Sequence, residues 1–348
     1  MNTAMKLVAD AIGTRLLGKA IVALVMVILS FGSGRAAEPP AAEQPASRIV
    51  DAGIYVINIQ ELALAASTYK ATFWLWFKSN DPKYEPEKAI DIIGAKDIKT
   101  DSLTLDKLSD GTYYRSVKVS ATITQKYDVG YFPFDTQKLR IIVENTNDDV
   151  SKMSFKADTK SSGVDPNIVL PGWKLRGFDL KATSTTYNTD FGAGDGASSS
   201  YARLVATVAV EHAGGRIFGT NFLGFFVADL LTGVTMAVES FNITRLAVPF
   251  IGRLNMAVGS LFGAVGNSYL VEKMLPPTPN LTLTDMVQVS SFSSIAFALF
   301  TVIGSETLSR MAYTPAAVTA FSRTSVAVFL GSQLALGAYY IAHADQGK

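Results

Sequence analysis

What most constrains this chain is the change of character after Gly215, where four long apolar segments follow one another. They lie at roughly 217–238, 249–272, 285–308 and 320–342. Each approaches the roughly 20 residues that a helix needs to cross a bilayer. Backbone polar groups in lipid must be satisfied within the segment, so the reading is a four-helix transmembrane bundle with the lipid bilayer as a partner. Arg245 and Arg253 lie around the first connection and Arg310 and Arg323 around the third, whereas the second, "KMLPPTPNLTLTD", holds one Lys and one Asp. The bias of basic residues places the first and third connections in the cytoplasm.

The part before Gly215 obeys different rules. Lys6, Arg15 and Lys19 precede "AIVALVMVILSF", which ends in "GSGRAAE". That is the pattern of a secretory signal peptide over 1–37, with a retained membrane anchor as the other reading. A Pro/Ala linker follows over 38–47. From 48 to 214 the pattern is β. "SVKVSATIT" (116–124) puts Val117, Val119, Ala121 and Ile123 on one face, and "ARLVATVAV" (202–210) does the same with Ala202, Leu204, Ala206, Val208 and Val210. "GIYVINI", "KATFWLWF" and "KLRIIVE" are further strands, broken by "SNDPK", "LSDGT" and "NTNDD" turns. These features predict an N-terminal extracellular antiparallel β-sandwich ahead of the membrane domain at 215–348. "FGAGDGASSS" (191–200) is expected to be a loop tip between the last two strands. The signal peptide and the loop charges agree on orientation: a multi-pass protein of the cell (inner) membrane with its N-terminal domain periplasmic.

Composition removes several function classes. A formal net charge of +1 gives no electrostatic case for a nucleic-acid partner. The chain has no cysteine, so disulfides and thiolate metal sites are excluded. No nucleophile–base pair or metal-ligand cluster stands out, so neither an enzyme nor a cofactor or metal is expected.

The second apolar segment is unlike the others. At helical spacing one face carries Asn255, Gly259, Phe262, Gly266 and Tyr269, with Glu272 at the outer end, and a second carries Ser260, Gly263 and Asn267. Small residues can mean close helix packing. The order along the first face, amide, then bulky aromatic, then charged mouth, also suits a helix whose copies line a pore. Asp229 and Glu306 are ionisable groups near membrane depth and should face protein or water, although Glu306 could equally mark a helix end.

These features together with "KYDVGYFPFDTQKL" (126–139) resemble the pentameric ligand-gated ion channel family, in its bacterial branch. The signature loop of that family is similar to Phe132, Pro133, Phe134, Asp135, Thr136 and Gln137 here. Animal members close this loop with a disulfide; Gln125 and Leu139 stand at those places, and bacterial members likewise lack the cysteines. "LVEKMLPPTPNLTLTD" looks like the turn that leads into the third helix, and Arg216 and Glu306 sit where bacterial members place such residues. The resemblance spans about 48–342.

The resemblance implies a homopentamer that conducts permeant ions through a pore lined by the second helix and opens on binding an unidentified small-molecule ligand. It also implies that the loop relays binding to the helices, with Phe132, Pro133 and Phe134 wedged against them and Asp135 paired with Arg216. Departures are clear as well. Ser79 stands where an aromatic is usual, and no Trp lies between 142 and 172, which leaves Tyr187 and Tyr201 as candidates for a ligand pocket. Ile251 and Gly252 precede Arg253 where cation-selective members tend to carry a Glu, so ion selectivity stays open. The competing reading is a non-conducting membrane receptor or scaffold that retains the fold.

Overall fold

The computed structural model describes residues 48–192, 198–241 and 248–344. The expected signal peptide and linker, Arg245 and the middle of the Gly/Ser tract lie outside the described residues.

Among the described residues ten strands come first: β1 (Arg48–Ala63), β2 (Thr68–Ser79), β3 (Ile90–Ile92), β4 (Ala95–Lys107), β5 (Tyr113–Thr124), β6 (Thr136–Asp149), β7 (Met153–Ala157), β8 (Gly163–Val164), β9 (Trp173–Tyr187) and β10 (Ser199–His212). They form two sheets, ordered β4-β5-β2-β1-β7 with β8 also on β1, and β3-β6-β10-β9. The period-2 segments sit as expected. Val117, Val119, Ala121 and Ile123 of β5 are buried, and so are Ala202, Leu204, Ala206, Val208 and Val210 of β10. Both rows join one apolar core with Phe73 and Leu75 of β2 and Leu139, Ile141 and Val143 of β6. Alternation and burial agree because a pleated strand sends successive side chains to opposite faces.

The domain is not wholly antiparallel. β7 and β8 both pair with β1 in parallel, Arg48 opposite Met153 and Tyr55 opposite Gly163. The chain leaves β6 in one sheet and turns through 150–152 into the other, so β7 arrives running in the direction of β1. "NTNDD" is likewise no turn: Asn145 to Asp149 continue β6, and the ladder to β10 absorbs an irregularity between Tyr201 and Arg203.

Five α-helices follow among the described residues: α1 (Gly214–Asn221), α2 (Leu223–Phe241), α3 (Phe250–Glu272), α4 (Leu283–Arg310) and α5 (Pro315–Ala344). The first apolar segment is thus two helices, bent by 51° at the break. Thr220 Oγ1 donates back to the Arg216 carbonyl at 3.0 Å, a side-chain bond that competes with the helical ladder and favours a bend. Phe222, in the break, is buried and packs on Phe218, ring centroids 4.9 Å apart. α4 starts at Leu283 because Thr282 and Asp285 form a reciprocal capping box. α5 starts at Pro315, whose fixed φ suits the first helical position, behind Thr314, whose Oγ1 accepts from the Ala317 amide.

α4 and α5 are long and apolar enough to cross a membrane, and the bent α1–α2 pair passes the same test if taken as one span. α3 has the length, but its glycines, amides and serines dilute its apolar character. The two ionisable groups noted near membrane depth, Asp229 and Glu306, have partners. Asp229 Oδ2 accepts from Ser291 Oγ of α4 at 2.9 Å. Glu306 lies 2.9 Å from Arg310 and 4.0 Å from Arg253, so it faces a neighbouring helix as well as its own last turn.

Candidate functional site

Three places carry the residues singled out by the sequence: one face of α3, the loop between β5 and β6 with the helix starts it touches, and the neighbourhood of the β9–β10 connection.

On α3, Asn255, Gly259, Phe262, Gly266, Tyr269 and Glu272 are all exposed in the single chain, Phe262 to 73%. The opposite face, Arg253, Ala257, Ser260, Ala264, Asn267 and Val271, is buried against the other helices. Small residues do serve close packing here, but on that inner side. Gly224 of α2 lies so near Asn267 that an added Cβ would come within 2.5 Å of its Oδ1. Of the second sequence face, Ser260 and Asn267 are buried while Gly263 is exposed. At the end of the helix Lys273 Nζ sits 4.1 Å from the centre of the Tyr269 ring. Arg253, counted by the sequence among the connection residues, is instead a buried side chain of α3. Its Nη1 donates to Ser305 Oγ at 3.4 Å, and Glu306 lies beyond.

The loop at 125–135 packs directly on the helices. Phe132 and Pro133 are buried. Pro133 lies against Gly214, where an added Cβ would also come within 2.9 Å of Phe134 Cδ1, so this contact needs a residue without a side chain. Phe134 meets Phe218 of α1, centroids 5.4 Å apart. Two hydrogen bonds reach the start of α4: the Leu283 amide donates to the Gly130 carbonyl at 2.8 Å, and Thr284 Oγ1 to the Phe132 carbonyl at 3.4 Å. Loop and helices therefore share bonds as well as apolar contact.

Asp135 does not pair with Arg216. Its Oδ1 lies 2.8 Å from His212 Nδ1, and its Oδ2 accepts from Gln137 Nε2. Strand register explains the difference. β10 runs beside β6 with Glu211 opposite Thr136, which brings His212 next to Asp135, and the His212 amide donates to the Asp135 carbonyl at 3.2 Å. Arg216 lies a helical turn further on and is exposed. A signal for His212 was present in the sequence: it is the next inward position after Ala202, Leu204, Ala206, Val208 and Val210.

Tyr187 and Tyr201 do come together beside the β9–β10 connection. Their rings are 6.0 Å apart, and Phe191 meets them at 5.4 and 6.2 Å. The Tyr187 hydroxyl donates to the Glu144 carboxylate at 3.0 Å and accepts from Arg203 at 2.8 Å, while Arg203 also pairs with Glu144. Burial first, and the Glu144 bond second, push the Tyr187 phenol pKa upward. Neither Glu144 nor Arg203 was singled out by the sequence, since each is one charge in an alternating strand.

No family model matches the chain. The chain is, however, 23% identical over 270 residues to a proton-gated ion channel of Gloeobacter violaceus, an alignment covering 72% of this chain and 70% of that one. This chain is a homologue of that channel. The family resemblance drawn from the signature loop and the helices is borne out by this homologue.

Proposed function

We propose that the chain is a subunit of a ligand-gated ion channel that assembles as a homopentamer, with the exposed face of α3 lining the pore. The observation that carries this reading is the division of α3. Every residue of the amide–glycine–aromatic–carboxylate stripe is uncovered in one chain, while Arg253, Ala257, Ser260, Ala264, Asn267 and Val271 on the opposite side are buried. A stripe of that polarity is costly against lipid and suits a water-filled axis built from several copies. The homologue supports it, being named a proton-gated ion channel. Four membrane spans, with the α1–α2 pair counted as one, leave the β domain periplasmic. The loop around Phe132 to Asp135 then relays changes in the β domain to α1 and α4. Tyr187 and Tyr201 border the pocket for a small ligand, and acid is the first stimulus to try.

Because the chain has no native cysteine, single substitutions give a clean test. Cysteines at Asn255, Gly259, Phe262, Gly266, Tyr269 and Glu272 should react with a water-soluble thiol reagent and change flux in liposomes, whereas cysteines at Ala257, Ala264 and Val271 should not. The reading fails if the first set is shielded in every condition or if crosslinking returns only monomers. A folded oligomer silent at every pH and voltage, and equally silent as Phe262→Ala, would favour the non-conducting scaffold.

A further inference from the structure

The exposed stripe of α3 does not end on a carboxylate. Asn255, Gly259, Phe262, Gly266 and Tyr269 follow one another by steps of four, three, four and three residues, and the next step of four falls on Lys273. At 3.6 residues per turn each residue advances by about 100°. Lys273 therefore stands in the middle of the stripe, and Glu272 about 100° round the helix from it. Helical geometry holds that far, since Lys273, which caps α3, has φ −66° and ψ −15°. The side chain confirms the direction. It is exposed and folds back along the stripe, with Nζ 4.1 Å from the centre of the Tyr269 ring. A cation over a tyrosine face is held there by the quadrupole of the ring.

The other charges of this region point elsewhere. Within α3 the charged residues are Arg253 and Glu272. Arg253 is buried on the opposite side, with Ser305 at 3.4 Å and Glu306 at 4.0 Å, so its charge is taken up inside the subunit. Glu272 accepts from Ser268 Oγ at 3.4 Å, one turn back on its own side of the helix. It also borders a cavity with Leu275, Pro276 and Gln288, and thus faces the α3–α4 connection. Asp285, on the wall of the same cavity, is engaged with Thr282 in the capping box. Lys273 has no ion pair among the described residues. From Asn255 to Tyr269 the stripe is uncharged, which leaves Lys273 as its one charged member.

We infer that Lys273 determines the charge preference of the pore, and that this preference is for anions. The inference rests on the channel reading and deepens it by giving the sign of the permeant ion. Five copies around an axis place five ammonium groups in a ring at the outer end of the stripe. Such a ring enriches anions and depletes cations in the water it surrounds, which is why lysine and arginine rings suit anion pores. Glu272 does not cancel it, because its carboxylate stands on another side of the helix. Arg253 adds nothing to it, because its charge is buried and paired. The ring is wet, so its reach is the screening length, about 8 Å at about 0.15 M salt, and the preference strengthens as salt is lowered.

Reversal potentials of the full-length oligomer in planar bilayers, under a sodium chloride gradient and with acid and voltage as stimuli, test the inference. Chloride should be the more permeant ion. The chloride-to-sodium permeability ratio should fall towards one in Lys273→Gln, drop below one in Lys273→Glu, and rise when both solutions are diluted. Glu272→Gln should move it less than Lys273→Gln does. A wild type that prefers sodium, or a ratio unmoved in Lys273→Gln, overturns the inference. A second arm needs no current. Gly266 lies two turns inward from Lys273, and nothing stands within 4 Å of a Cβ there, so a cysteine fits. Its reaction rates with an anionic and a cationic thiol reagent of matched size report the local potential. A potential of about half kT changes the anion-to-cation rate ratio by about threefold, and Lys273→Gln should lower the ratio by about that factor or more. An equal ratio with and without Lys273 overturns the inference, whether or not Lys273→Glu assembles. A Gly266→Cys thiol shielded from both reagents in every condition defeats the pore reading itself, which is a different failure. A shifted ratio with no current in any condition removes conduction, and the anion preference with it, while leaving Lys273 as the charge of a water-filled axis.

Discussion

Phe262→Ala separates a ring that faces an open axis from one that is packed. In the single chain Phe262 is 73% exposed, so about a quarter of its surface is covered. A fully buried aromatic covers about 150–250 Å². The covered part is therefore about 40–70 Å², worth about 1–1.7 kcal/mol at about 25 cal/mol per Å². Phe132 is the control, 1% exposed and edge-on to His212. Its replacement by Ala removes a whole buried ring and leaves a cavity, at about 3–5 kcal/mol. If five Phe262 rings project into a lumen, assembly covers them little further, and the small figure survives in the oligomer. Thermal melting of the purified oligomer should then place Phe262→Ala close to wild type and Phe132→Ala well below it. Ion flux through Phe262→Ala should rise, since removing an apolar constriction eases wetting. Equal loss of stability in the two variants would mean that Phe262 is buried against a neighbouring chain, and the assignment of the α3 face would be refuted.

Two further outcomes follow from the same packing. In Gly214→Ala the new methyl meets the Pro133 carbonyl and the Phe134 ring, whereas nothing lies within 4 Å of a Cβ at Gly215. Overpacking of about 1–3 kcal/mol should loosen the loop; amide exchange at 130–135 should speed up in Gly214→Ala and not in Gly215→Ala, and equal behaviour would refute the contact. Asp158 is pushed up by burial, but hydrogen bonds from Ser161 and Trp76 and the nearby Lys78 outweigh this and hold its carboxyl below the usual range. A depressed carboxylate stabilises the fold above the unfolded value near pH 4 and loses that contribution as pH falls through the folded one. Near-UV circular dichroism against pH should show a shallower acid transition in Asp158→Asn, and an unchanged slope would contradict the assignment.

How much of this was legible in the sequence depended on whether a signal is periodic. The inward rows of β5 and β10 could be read directly, because burial on one sheet face forces alternation. The stripe on α3 could be read for the same reason at helical spacing. What stayed hidden is relational. β4, polar and exposed for nearly its whole length, has no apolar row to betray it. The break at Phe222 has no proline and is set by Thr220 and by packing on Phe218. Which side chain meets Asp135 is decided by the β6–β10 register, so the resemblance pointed to Arg216 while the ladder delivered His212. Arg253 could be counted as a basic flank but not seen to turn inward to Ser305 and Glu306. Tyr187 and Tyr201 were found as aromatics; the Glu144–Arg203 pair that holds Tyr187 emerges only once three strands lie side by side.

The start of α4 has one more implication. Its first turn carries amides that no helical carbonyl can accept from. The Thr282–Asp285 box satisfies the cap, but the Leu283 amide gives its proton to Gly130, a residue of another part of the chain. The helix thus borrows an acceptor from the loop. Any excursion that lifts the loop also strands a donor, so fraying of that terminus and departure of the loop are one event, and rigidity at one end is lent by contact with the other.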